Sequence, residues 1–226
     1  MGGFGVPGSS GSLTLVGAAY AAATTALFPA LACVAARARR VSRVFVYPVV
    51  RPEDVPLFMV VLIGTEDRRF YLHQGVDWAS ALSAALLNIR KRGVRRGAST
   101  LTQQVVKAMY FGGRTRSWWD KLASMAAAIL FERIHGKRGV LLAYLNLVAW
   151  GPWQGLRMAS GAYFGKAPEE LRGAEVVCLV AALWGPTLTQ RRPDLWSVRQ
   201  ERILRKFGIL GGPLLPEVPM TDDWDR

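Results

Sequence analysis

Residues 65–78 read TEDRRFYLHQGVDW and follow directly on the apolar run VPLFMVVLIG of residues 55–64. A run of that apolar density reads as a buried helix. Glu66 and Asp67 stand where this helix leaves the core. A carboxylate at such an edge is partly withdrawn from water, which suits it to general acid–base work. The same residues also fit a solvated helix end, with Arg68 and Arg69 screening the acids. His73 and Asp77 complete the polar set. DWASALSAALLNIRKRG, residues 77–93, comes next as an amphipathic helix. Ala81, Leu82, Ala85, Leu86 and Ile89 recur at helical spacing, and Gly93 stops it.

A second constellation lies in RKRGVRRGASTLTQQ, residues 90–104, whose first seven residues include five basic ones. Thr100 and Gln103 have the spacing of a capping box, an N-cap threonine answered three residues later by glutamine. A helix start presents free N–H groups and the positive end of a dipole, so it is a ready anion site. Lys107 lies two turns on, and Arg114 and Arg116 occupy the loop after it. A capped helix with a solvated basic face reads equally well here. A third stretch, RSWWDKLASMAAAILFER, places Trp118 and Trp119 either in the core or against lipid. Asp120, Lys121 and Ser124 fall within one turn of one another on its helix.

The rest of the chain is read as helical. A long helix ends at Gly136. Further helices cover KRGVLLAYLNLVAWG and GLRMASGAYFG, then two starts in APEELRGAEVVCLVAALWG, with Pro168 near a first helical position. Strand signals are confined to short pieces near residues 44–50. The expected fold class is therefore mainly α.

The chain has 226 residues, enough for one core, and a formal charge of +13. That charge points to a polyanionic partner: nucleic acid, an anionic membrane surface or a phosphorylated substrate. With 51% hydrophobic residues and eight tryptophans it is not a disordered chain. Cys33 and Cys178 have no metal-ligand spacing and read as two buried thiols.

Residues 1–36 carry no charged side chain. Residues 1–12 read as a tail and 13–36 as one membrane anchor, long enough for the roughly 20 residues a span needs. Residues 37–56 read as a basic, extended connector, 57–210 as the folded domain and 211–226 as a C-terminal tail. The arginines after the span would by themselves place that flank in the cytoplasm.

The three stretches occur in one order, and in that order the sequence resembles the peptidoglycan glycosyltransferases, most closely the monofunctional biosynthetic transglycosylases. The family's E-D-x-x-F-x-x-H-x-G-x-D is matched by Glu66, Asp67, Phe70, His73, Gly75 and Asp77. Its G-x-S-T-x-T-Q-Q-x-x-K is matched by Gly97, Ser99, Thr100, Thr102, Gln103, Gln104 and Lys107. AYLNLVAWG, ASGAYFGK and GAEVVCLVAALWGP look like later family segments, so the resemblance runs from about Val44 to Arg205.

The resemblance implies a lysozyme-like, two-lobed helical domain with a small membrane-facing jaw. It implies lipid II as substrate, extension of a β-1,4 glycan strand, inversion at the anomeric carbon and release of undecaprenyl pyrophosphate. Glu66 would be the catalytic base. Asp67, Phe70, His73, Ser99, Thr100, Gln103, Gln104, Lys107, Arg116 and Lys121 would line the substrate site. The family also brings Mg2+ or another divalent cation as an expected cofactor, though no metal ligand is assigned. Expected partners are lipid II, the growing strand, cytoplasmic-membrane lipids and cell-wall synthesis proteins. The catalytic domain would lie outside the cytoplasmic membrane on a single-pass anchor, which overrides the charge-based orientation. Too few residues follow Arg205 for a transpeptidase domain, so a monofunctional enzyme is expected.

One family element is missing. In the R-K-x-x-E motif, the arginine is replaced by Asp120 and the glutamate by Ser124, while Lys121 is kept. Serine holds no charge at neutral pH. Arg157 stands where the family carries a further glutamate. Asp120, one turn before Ser124, is a candidate substitute. Two readings follow: an active polymerase, or a catalytically degenerate relative that binds lipid II or cell-wall partners. A nucleic-acid binder would match the charge, but not the two motifs or the apolar N-terminus. A muramidase-like hydrolase would leave the anion-ready helix start unexplained.

Overall fold

The computed structural model describes residues 49–90, 98–113, 115, 117–183 and 191–216. The anticipated tail and anchor, most of the connector, the basic stretch 91–97, Arg114, Arg116 and Cys33 lie outside the described residues. Among those described, no helix is long and apolar enough to cross a membrane.

The architecture is mainly helical, as expected. Helix α1 runs Pro56–Glu66, α2 Trp78–Arg90, α3 Leu101–Tyr110, α4 Trp118–Leu147, α5 Leu156–Phe164, α6 Gly173–Ala182 and α7 Pro193–Phe207, with 3-10 turns at Pro52–Asp54, Phe70–Leu72 and Pro168–Glu170. Pro56 and Pro193 sit in the first turns of α1 and α7, where a missing N–H costs nothing. Helix α6 is buried from Val176 through Ala182, on every face. It packs on α1 and α7, and α3 lies along α4. Burying α6 on all sides explains its unbroken apolar sequence: an amphipathic stripe would leave polar side chains in the core.

Two features depart from the sequence reading, while the stop at Gly136 falls where it was read: a break inside α4, with φ 64° and ψ 177°, followed by the second helical segment expected there. Only a residue without Cβ takes that conformation readily. The segment read as helical through Trp150 ends at Leu147. It turns into a two-residue antiparallel pair, Ala149–Trp150 with Trp153–Gln154; of the strand pieces expected near residues 44–50, only 49–50 are described, and these are not in a strand. The apolar stripe of α2 faces outward: Trp78, Leu82, Leu86 and Ile89 are 62%, 63%, 60% and 75% exposed, and only Ala84 of that helix is buried.

Candidate active site

The turn after α1 is held from inside. Both carboxylate oxygens of Asp67 lie 3.0 Å from His73 Nε2, and Oδ2 also accepts the Leu101 backbone N–H at 3.0 Å. Asp67 therefore joins the end of α1 to the first turn of α3. Thr100 Oγ1 donates to the Gly75 carbonyl at 2.6 Å. Gly75 has φ 79°, and a Cβ there would stand 2.7 Å from the Ala128 backbone of α4. Lys137, just past the kink, donates to the Phe70 carbonyl and to the His73 carbonyl at 2.6 Å, and pairs with Glu132 at 2.5 Å. Glu132 in turn accepts from Thr102 Oγ1. Two sequence motifs far apart along the chain thus meet on one buried polar network.

Glu66 is the last residue of α1 and is placed on the wall of a cleft of about 850 Å³. Arg68, Arg69, Ser80, Ser99 and Lys206 line the same cleft. Its carboxylate is held at both oxygens. Oε1 pairs with Arg199 of α7, and Oε2 accepts from Gln104 Nε2 of α3 at 3.3 Å. The two charged side chains are only 11% and 15% exposed. Gln104 Oε1 accepts from the Tyr144 hydroxyl at 2.8 Å. Lys206 donates to the Gly64 carbonyl. Burial holds its ammonium below the ordinary lysine value, Arg68 adds to that, and Glu66 opposes it.

The second motif folds as its spacing predicts. Thr100 Oγ1 accepts the Gln103 N–H at 3.1 Å and Gln103 Oε1 accepts the Thr100 N–H at 3.0 Å, completing the capping box. A cap of this kind stabilises a helix by about 1 kcal/mol. Lys107 Nζ reaches Ser99 Oγ at 3.2 Å. Burial, then the like charge of Lys121, lowers the Lys107 pKa. Lys121 Nζ sits 5.3 Å over the Trp118 ring, and both Trp118 and Trp119 are exposed rather than core.

The expected substrate residues that are described separate into three groups. Ser99, Gln104, Lys107 and Lys121 keep accessible surface. Phe70 and His73 are turned into the interior, and the Gln103 amide is engaged in the cap. Asp67 and Thr100 line the cleft while hydrogen-bonded to the protein. Ser124 is buried and its hydroxyl donates back to the Lys121 carbonyl at 2.8 Å. Asp120 Oδ2 accepts the Ser117 N–H at 3.0 Å as the third residue of the α4 cap. One oxygen of its carboxylate thus serves the helix start, at the position the sequence offers as a substitute for the missing glutamate. Arg157 Nη2 pairs with Glu169 at 2.8 Å, tying α5 to the following turn.

This donor set does not fit a divalent cation held by the protein. Hard cations need several oxygen donors. Here Glu66 is engaged by Arg199 and Gln104, Asp67 by His73 and Leu101, and Ser124 by its own helix. Among the described residues no cluster of three or more His, Cys, Asp or Glu side chains gathers.

Sequence reasoning missed Arg199, Lys206, Lys137 and the hydroxyl of Tyr144. The segment AYLNLVAWG did flag Tyr144 and Asn146 without a role. Asn146 accepts the Val50 N–H at 3.0 Å and donates to the Val50 carbonyl at 2.9 Å, fastening the start of the domain to α4. The lysines and Arg199 carried no local signal among so many basic residues.

The transglycosylase family model matches residues 42–208. The chain is similar to the biosynthetic peptidoglycan transglycosylase of Shewanella amazonensis (strain ATCC BAA-1098 / SB2B), 37% identical over 170 residues, covering 69% of this chain and 69% of the relative. With the protein of that name from Pasteurella multocida (strain Pm70) it shares 35% identity over 155 residues, 67% of this chain and 62% of the relative. With penicillin-binding protein 1C of Escherichia coli (strain K12) it shares 34% over 175 residues, 73% of this chain and 22% of that protein. The chain thus spans less than two thirds of the Pasteurella relative and under a quarter of the Escherichia one.

Proposed function

The chain belongs to the transglycosylase family, and from that membership we propose that it is a peptidoglycan glycosyltransferase of cell-wall synthesis, with a lysozyme-like domain that polymerises lipid II into β-1,4 glycan strands. The observation that carries this reading is Glu66: a carboxylate at the end of a helix with one buried face, on a cleft whose other walls bring Arg68, Arg69 and Lys206.

Glu66 takes the proton from the acceptor sugar hydroxyl. The oxygen so released attacks the anomeric carbon of the donor from the face opposite its pyrophosphate. The new C–O bond forms as the bond to pyrophosphate breaks, with inversion, and undecaprenyl pyrophosphate leaves with its charge. Positioned proton transfer of this kind contributes on the order of 100-fold or more. Lys107 and Lys121, with Arg116, meet the pyrophosphate charge. Ser99 and Gln104 offer hydrogen bonds to the sugars. The protein's own cations serve the leaving group, and no step is routed through a metal.

The outward stripe Trp78, Leu82, Leu86 and Ile89 supports contact with the membrane in which lipid II is anchored, since an apolar helix face of this kind lies at a lipid interface. The catalytic domain works on the outer side of the cytoplasmic membrane, carried by the anchor of residues 13–36, beside other cell-wall synthesis proteins.

One observation favours a second reading. Ser124, at the position of the family's second glutamate, is bonded to its own helix and brings no carboxylate. A relative that binds lipid II without polymerising it would look the same. Purified protein incubated with lipid II and resolved on a gel decides the matter. Glycan strands that disappear in Glu66→Gln establish the polymerase. Lipid II binding without strands establishes the degenerate relative.

A further inference from the structure

The carboxylate assigned above as the base is gripped at both oxygens, by groups from two different helices. On one side the Tyr144 hydroxyl donates to Gln104 Oε1, and Gln104 Nε2 donates to Glu66 Oε2. On the other side Arg199 donates to Glu66 Oε1. A glutamine amide has one accepting and one donating end. The Glu66 carboxylate can only accept, so the donating end of Gln104 faces it, and the amide oxygen left over is anchored by the Tyr144 hydroxyl. Were the amide reversed, two oxygens would oppose each other and the base would lose its contact. Tyr144 is fully buried. Burial, with the Glu66 charge adding to it, keeps its phenol protonated, so it stays a donor.

We infer that Tyr144 and Arg199 are positioning residues that fix the Glu66 carboxylate in its reactive orientation, Tyr144 acting through Gln104 and Arg199 directly. The inference rests on the role proposed for Glu66. A glutamate at a helix end has several rotamers. Holding both oxygens removes that freedom before substrate arrives and leaves the lone pairs not used by Gln104 and Arg199 for the incoming hydroxyl. The family's second carboxylate is missing in this chain, so placement of the remaining one rests on these neutral and cationic partners. The arrangement also explains why a tyrosine, an arginine and a glutamine from distant parts of the sequence converge on one side chain.

The test uses the full chain in detergent with lipid II. Tyr144→Phe removes one oxygen and keeps the ring. It is expected to lower kcat roughly tenfold with KM unchanged, the size of one net hydrogen bond. Arg199→Lys is expected to retain more kcat than Arg199→Gln, since the cation is kept. An unchanged kcat in Tyr144→Phe and Arg199→Gln, or a rise in KM alone, overturns the inference. The second measurement needs no turnover: a double-mutant cycle by urea unfolding between Arg199→Gln and Glu66→Gln. Strong coupling is expected, and additivity overturns the clamp of Arg199 on Glu66. Should the parent protein form no strands, the polymerase reading falls, and the unfolding cycle still decides whether the clamp on Glu66 exists.

Discussion

Asp67 and His73 form a buried pair in which a single ring nitrogen, Nε2, sits 3.0 Å from both carboxylate oxygens. Asp67 Oδ2 also accepts the first N–H of α3, so one side chain closes the turn after Glu66 and starts the helix that carries Gln104. In Asp67→Asn one oxygen becomes a donor that faces either the ring or the Leu101 N–H. Leaving a buried partner unmatched costs about 1–3 kcal/mol. Urea unfolding at neutral pH should show that loss, and polymerisation should fall with it. An unchanged midpoint would mean that the pair does not organise this turn.

Gly75 is expected to tolerate no side chain. Its φ of 79° strains any residue with a Cβ, and that Cβ would meet the α4 backbone at 2.7 Å. Backbone cannot swing aside as a side chain can. Strain of this conformation alone costs on the order of 1–3 kcal/mol, and the overlap adds to it. Gly75→Ala should melt well below the parent or accumulate as insoluble protein. A melting temperature equal to the parent's contradicts this packing.

The alkaline limit of substrate binding should belong to Lys107. Burial, and then the neighbouring Lys121, depress its pKa. The folded chain releases this proton at lower pH than the unfolded chain does. Between those two pH values the unfolded state binds more protons, so this group's contribution to stability increases as pH rises. Anion binding runs the opposite way, because it needs the ammonium form. KM for lipid II should rise at a pH below the ordinary lysine value, and Lys107→Arg should move that rise upward. Coincident KM profiles for the two proteins would remove Lys107 from the anion site.

Removal of divalent ions should leave the fold intact. The Glu66, Asp67 and Ser124 oxygens are taken by Arg199, Gln104, His73 and the protein's own backbone. The urea midpoint of the substrate-free protein is expected to be the same in EDTA and in Mg2+. A midpoint that falls in EDTA and recovers with Mg2+ would show that the protein itself holds a cation despite this donor set.

Membrane contact through α2 should be separable from folding. Leu82 and Leu86 are exposed, and surface substitutions usually change stability by less than about 0.5 kcal/mol. Leu82→Gln with Leu86→Gln, in a chain lacking the N-terminal segment 1–36, should bind anionic vesicles less than its own parent at equal thermal stability. Equal binding would place the contact elsewhere, with Trp118 and Trp119 the next surface to change.

What the sequence determined by itself was local. The α3 cap needs only Thr100 and Gln103, three residues apart, so its spacing sufficed. The runs that became α1 and α6 were legible as helices from their apolar density, but only α6 is buried on every face, and α1 leaves Leu57 and Val60 exposed. Periodicity also found the stripe on α2, but a stripe does not say what it faces, and tertiary structure left it exposed. Gly136 was legible as a break and the run after it as a further helix, whereas the contacts of Lys137 with the carbonyls of the first motif, 67 and 64 residues away along the chain, were not. Arg199 meets Glu66 across 133 residues. One arginine among many carries no signal until the packing of α1, α6 and α7 sets a buried cation beside a buried carboxylate, where low polarity makes the pairing matter.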